Sequence, residues 1–134
     1  MEFGLGVFIC IFNKDFSKIL LIKRSNEKNW GNVGGRVELG EKAADACIRE
    51  AKEEINVDLK DLKFISFKET FFPKVHAIHF VYAAVLDENE PITLNSESED
   101  YGWFGLEDLP DKTLDSKAYL KEVAVAAREE FSTN

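Results

Sequence analysis

Apolar residues dominate two runs near the start of the chain, residues 3–12 and 18–23. Both are rich in Ile, Phe, Val and Leu, and Asn13-Lys14-Asp15 between them carries turn chemistry, so the pattern predicts a β-hairpin. Residues 26–36 form a polar segment rich in Gly and Asn that ends at Gly34-Gly35. Such a pair lets the backbone turn sharply or approach a ligand closely. From Gly40-Glu41 onward the period changes. Ala44, Cys47, Ile48, Ala51 and Ile55 recur at helical spacing and predict one buried stripe of an amphipathic helix. Asn56 closes it, a residue that tolerates the left-handed conformation of a helix C-cap.

Beyond a short polar link, residues 62–72 and 75–86 are again rich in aromatic and β-branched side chains. Pro73-Lys74 separates them, which predicts a second antiparallel pair. An acidic loop over residues 87–100 leads to a short strand at 101–104 and a helical turn at 106–110. The last element is a helix over residues 118–131 with Leu120, Val123, Ala124, Ala127 and Phe131 on its apolar side. Strand pairs separated by helices imply an α/β fold with a mixed central sheet covered by helices. With no repeat, low-complexity tract or linker in 134 residues, a single domain over 1–134 is expected.

Composition narrows the partners. The 17 Lys and Arg against 25 Asp and Glu leave a net charge of −8. That balance lacks the basic stripe that long DNA or RNA demands, although a bound metal can still invert the local field for a small phosphate compound. Cys10 and Cys47 sit in apolar settings with no redox or metal-type neighbour, and are expected as buried free thiols. No run approaches the roughly 20 apolar residues of a membrane span, and the N-terminus lacks a signal-peptide pattern, so a cytoplasmic setting is expected.

The predicted helix at 41–56 holds Glu50, Glu53 and Glu54 within five residues. Side chains three and four apart on a helix are neighbours, and like charges held there repel. The pattern places them on an arc separate from the apolar stripe. A divalent cation relieves the repulsion, and hard oxygen ligands favour magnesium or manganese. His76 and His79 lie three apart in a strand, on opposite faces, which argues against a shared metal site; neither is assigned a role.

The spacing Gly35, five residues, Glu41, seven residues, Arg49-Glu50-Ala51, one residue, Glu53-Glu54, one residue, Asn56-Val57 resembles the Nudix box. Asn56 replaces its last Gly, and Ala51 is small for its slot. Trp30-Gly31-Asn32-Val33-Gly34-Gly35 is similar to the Trp-x-x-Pro-Gly-Gly that often precedes the box, with Val33 in place of Pro. Trp103 to Pro110 looks like the strand and turn before the family's C-terminal helix. The resemblance spans nearly the whole chain. It implies the Nudix α/β/α sandwich and Mg²⁺ or Mn²⁺-dependent hydrolysis of a nucleoside diphosphate linked to another moiety.

The same resemblance implies roles for residues. Glu50, Glu53 and Glu54 match the metal-binding carboxylates, with the carbonyl of Gly34 as a further ligand. Arg49 is implied to pair with the box glutamates and fix their rotamers, with Glu41 orienting that network. Many members carry another glutamate before the final strand, as ligand or general base; Glu97, six residues before Trp103, is favoured over Glu99, and Glu50 remains an alternative base. Arg24 corresponds to a strand-end contact to substrate phosphates. Gly35 offers close backbone approach to substrate. Trp30 and Phe72, like Phe8 and Phe71, are aromatic candidates for stacking on a base.

A small-molecule nucleotide is the expected partner, with no long nucleic acid and no membrane, acting as monomer or homodimer. Chain length favours a nucleoside triphosphate, including an oxidised or non-standard one; a nucleotide sugar or ADP-ribose is the alternative. Pro73, sixteen residues after Val57, is similar to a proline of ADP-ribose-hydrolysing members, although a hairpin turn also explains it. The tyrosine of dinucleoside polyphosphate members has no counterpart at Phe72-Pro73-Lys74, and the −8 charge fits mRNA decapping poorly. A non-catalytic nucleotide-binding module is expected to lose box carboxylates, whereas this chain keeps all three.

Overall fold

The hydrophobic alternation of the first strand decides the architecture. In a computed structural model, which describes residues 1–132 without the side chain of Phe72, β1 spans Glu2–Phe12. Successive side chains of a strand point to opposite faces. Val7, Ile9 and Ile11 enter one core with Ala46, Cys47, Ala51 and Ile55 of helix α1 (Ala43–Ile55). Cys10 and Phe12 enter a second core with Leu120, Val123, Ala124 and Ala127 of helix α2 (Lys117–Ser132). One helix therefore covers each face of the sheet, the α/β/α arrangement expected above.

The described sheet has seven strands. Besides β1 they are β2 (Lys18–Arg24), β3 (Trp30–Gly31), β4 (Val33–Arg36), β5 (Lys63–Phe72), β6 (Val75–Val85) and β7 (Ser98–Gly105). Its order is β3-β2-β1-β6-β5, with β4 also paired to β1 and β7 to β2. The β1–β6 pairing is parallel and runs from Glu2↔Val75 to Phe12↔Val85; the other pairings are antiparallel, so the sheet is mixed.

Several expectations are corrected. The first hairpin is paired only at Phe12↔Ile19. Past that point β1 turns to β4 and β6, while β2 turns to β3 and β7. The segment 26–36 contains two short strands instead of only loop. β4 escapes pattern reading because its centre, Gly34-Gly35, has no side chain to pack, and β-propensity mostly measures such packing. β7 begins within the expected acidic loop, at Ser98, and residues 106–110 form a turn in which the Asp108 N–H donates to the Gly105 carbonyl. The pair β5–β6 and the left-handed C-cap at Asn56 (φ 56°, ψ 42°) match expectation.

The stripe on α1 is also rotated from its expected position. Ile48 is exposed and Glu54 is buried. Position 54 lies three residues after Ala51 and seven after Cys47, hence on the same face of a 3.6-residue helix. Ranking positions by hydrophobicity hid this, because the buried position carries a carboxylate.

Candidate active site

The three helix carboxylates occupy three environments. Glu54 is 2% exposed. The Gly34 N–H donates to its Oε2 at 3.1 Å, and the Arg24 guanidinium lies 3.5 Å from its Oε1. That Oε1 is buried without a hydrogen bond. Burial pushes the Glu54 carboxyl well above the usual carboxylate range; the neighbouring Glu50 adds to the rise, while Arg24 and the Gly34 N–H oppose it. Glu50 is largely buried and accepts from Arg49 Nη1 at 2.9 Å. Glu53 is exposed, and among the described residues its side chain is held only by contacts of 3.3 and 3.4 Å to Arg49.

Two glycines make this proximity possible. A Cβ on Gly34 would fall 2.2 Å from the Val7 carbonyl, and one on Gly35 would fall 2.4 Å from the Glu50 carboxyl. At these two positions strand β4 is thus pressed between β1 and α1 at a distance that excludes a side chain. This seam is what brings Gly34, Glu50 and Glu54 together.

Arg49 organises the outer side. Its Nε and Nη2 donate to the two oxygens of Glu41 at 2.8 and 3.0 Å, a bidentate pair. Nη2 also donates to the Arg36 carbonyl at 2.8 Å, so one guanidinium ties the end of β4, the segment before α1 and Glu50. Hydrogen bonding to Arg49 holds the Glu41 carboxyl below its usual range. Glu41 in turn accepts from the Glu38 N–H.

The acidic loop meets the same end of α1. The Asn95 side chain donates to the Glu53 carbonyl at 3.1 Å and accepts from the Glu97 N–H at 3.0 Å. The Ser25 N–H donates to the Glu97 carbonyl. The Glu97 side chain is exposed. Glu99 pairs with Lys23 and Lys28, and Lys28 chiefly holds its carboxyl below the usual range. Among the described residues no three His, Cys, Asp or Glu side chains already converge as a metal cage. The donor chemistry nonetheless suits a hard cation: a buried carboxylate oxygen lacks a hydrogen bond, a second carboxylate lies beside it, and the exposed Glu53 is only weakly held.

Beside these groups opens a cleft of about 460 Å³, lined in part by Phe8, Arg24, Asn32, Gly34, Gly35 and His79. Arg24 follows Leu20 and Ile22 on the α1 face of β2, and a bulge between Lys23 and Arg24 marks where it leaves the regular ladder. Trp30 does not line the cleft; it packs edge-on against Phe104 at 5.1 Å. Phe71 is exposed and stacks on His76. The Phe72 side chain lies outside the described residues.

The far wall was not foreseen, and it includes His79, which had no role assigned from the sequence. Lys68, Thr70 and His79 line the cleft with Asp115, and Lys68 donates to Asp115 at 2.8 Å. Thr70 Oγ1 and Asn32 Oδ1 are buried without partners. Burial lowers the His79 pKa from its ordinary value. The available signal was the alternation of Lys68 and Thr70 with Phe67 and Phe71, which separates a polar face of β5 from an aromatic one.

The family model of the NUDIX domain matches residues 2–123. The chain belongs to the Nudix hydrolase family. It is 31% identical over 101 residues to the NAD-capped RNA hydrolase NudC of Pseudomonas fluorescens, covering 74% of this chain and 36% of that protein. It is 45% identical over 51 residues to mRNA-decapping enzyme subunit 2 of Saccharomyces cerevisiae, covering 38% of this chain and 5% of that protein. This Nudix chain therefore corresponds to about a third of the first relative and a twentieth of the second. Among solved structures, the MutT NUDIX hydrolase from Burkholderia pseudomallei superposes with a TM-score of 0.80 at 27% identity, covering 91% of this chain and 98% of that one. No helix among the described residues is long and apolar enough to cross a membrane.

Proposed function

We propose that this chain is a metal-dependent pyrophosphohydrolase acting on a nucleoside diphosphate that carries a further group. The observation that carries the reading is Glu54: a carboxylate buried at the β4–α1 seam, with one oxygen lacking a hydrogen bond and Arg24 alongside. A buried ionised group is costly unless paired or bound to a cation. Glu50, Glu53, Glu54 and the Gly34 carbonyl would hold a divalent ion, Mg²⁺ or Mn²⁺, and Glu97 is the further ligand that family resemblance suggests. Such an ion neutralises phosphate charge and lowers the pKa of an attacking water.

The remaining work falls to the protein. Arg24 faces the cleft and supplies positive charge to substrate phosphate. Arg49 is a positioning residue: its hydrogen bonds fix Glu50 and anchor the end of β4. Glu50 lies against Gly35, whose backbone lines the cleft, and is the general base we favour. Glu99 is less suited, since two lysines already engage it. Similarity to a protein named NAD-capped RNA hydrolase supports a diphosphate with organic groups on both sides as the substrate type.

Glu54→Gln tests this directly. With Mg²⁺ and a panel of nucleoside triphosphates, ADP-ribose and dinucleoside diphosphates, turnover is expected to fall by at least about 100-fold. Full activity in that variant would remove Glu54 from the mechanism. A wild-type protein inert toward the whole panel would refute the hydrolase reading.

A further inference from the structure

The edge strand β5 turns its apolar side outward. On the α2 face it places Ile65 in the core but continues with Lys68 and Thr70 at the cleft. The opposite face, the one that α1 covers elsewhere, carries Phe64, Phe67 and Phe71. Cross-strand pairing fixes that assignment, because directly opposed residues share a face. Phe64 lies opposite Tyr82, Phe67 opposite Phe80 and Phe71 opposite His76. Tyr82 and Phe80 pack against the α1 core, and no described residue of β5 joins it.

The aromatic face runs on across the sheet. On the parallel β1–β6 ladder His76 lies opposite Phe3, and Ile78 opposite Leu5. Phe71 stacks on His76 at 4.3 Å, and Phe3 meets the same ring edge-on at 5.3 Å. Phe64 contacts Tyr82 at 5.6 Å. These rings form one contiguous patch over three strands. Phe3, Phe64, Phe67 and Phe71 are each between 51% and 68% exposed, and Leu5 is exposed beside them. Taking about 200 Å² for a phenylalanine, the patch leaves roughly 500 Å² of apolar surface in water. An apolar patch of that extent marks an interaction surface.

We propose that this face is the interface of a homodimer, two copies packing sheet on sheet through β5, β6 and the start of β1. A two-fold interface sets a patch against its own image, so the patch must complement itself. Aromatic rings do so. The carboxylate among them, Glu69, lies 2.6 Å from His76 Nε2, so the patch presents little charge even though two chains of net charge −8 otherwise repel. Two patches of this size bury about 1,000 Å² together, the lower limit for a specific interface. So apolar a surface suits a homodimer better than a transient partner, whose interfaces are no more apolar than ordinary protein surface. Facing sheets pack about 10 Å apart, which lets Phe67 and Phe71 interdigitate with their counterparts. Lys68 and Thr70 line the cleft from the other face of β5, which this packing leaves open.

Sedimentation velocity at up to about 500 µM protein tests the interface on the wild-type chain; a Kd on the order of 10 µM is expected for an interface at the lower size limit. Phe67→Glu and Phe71→Glu should each weaken association at least about tenfold, since each buries a charge against its own image. Val125→Glu, at an exposed apolar position of α2, should leave association unchanged. Thermal melts check folding. A further measurement needs no variant: on dilution, the methyl NMR signals of Leu5 and Ile78 should move while those of Val125 stay in place. A wild type that stays monomeric over the whole range, whether or not another protein binds this face, would overturn the proposal. So would a dimer that persists in folded Phe67→Glu and Phe71→Glu, or dilution shifts confined to Val125.

Discussion

Helices α1 and α2 flank one sheet, yet they meet it with different chemistry. The α2 seam is apolar, made by Leu120, Val123, Ala124 and Ala127 against Cys10, Phe12 and Val81. The α1 seam has a comparable apolar centre, but at its C-terminal end it buries Glu54 and brackets Glu50 with Gly35 and Arg49. Apolar burial is non-directional and tolerates exchange of similar volumes. A buried carboxylate requires specific donors at specific distances. The comparison assigns α2 to stability and α1 to stability and chemistry together.

Leu120→Ala probes the α2 side and carries the largest expected effect. Truncating this buried leucine should cost about 2–5 kcal/mol in denaturant unfolding. The kcat of the folded fraction should stay near wild type, and a large kcat loss would contradict the division.

Arg49→Lys probes the other seam. It keeps the charge but loses the bidentate hold on Glu41 and the link to the Arg36 carbonyl. Activity should fall about 10–100-fold, with a shift in unfolding free energy below about 1 kcal/mol because the network lies near solvent. Equal losses of both kinds would make Arg49 a structural tie only.

The last effect, confined to alkaline pH, should appear equally on both sides. Burial pushes the thiols of Cys10, on the α2 side, and Cys47, on the α1 side, up to about 12. Unfolded thiols ionise near 9, so the folded state holds its protons longer. Stability present below pH 9 is then lost as pH rises toward 12. The Cys10→Ala/Cys47→Ala variant should show a shallower alkaline decline in pH-dependent unfolding. A slope removed by one substitution alone would show that the two seams differ in dryness.

Local spacing made α1, its Asn56 cap and the Gly35-to-Glu54 motif legible, because a helix converts sequence intervals directly into neighbours. The β5–β6 pair was legible for a similar reason, a short turn between two runs of strand-forming residues. β4 was not, since its strand character comes from being gripped between β1 and α1. Thr70 and Lys68 were overlooked, and His79 was left without a role, because their shared wall exists only after β5, β6 and the Asp115 segment meet.

By itself, the order of residues determined the family, the alternating apolar faces of β1 and the carboxylates available for chemistry. Each of these depends on contacts within a turn of helix or on the period of a strand. Tertiary structure alone decided that Glu54 is buried while Glu53 faces solvent, that Arg24 meets the first and Arg49 the second, and that Phe67 and Phe71 of β5 stay uncovered. Those outcomes depend on which distant element arrives at each position, and burial and electrostatics follow from that meeting.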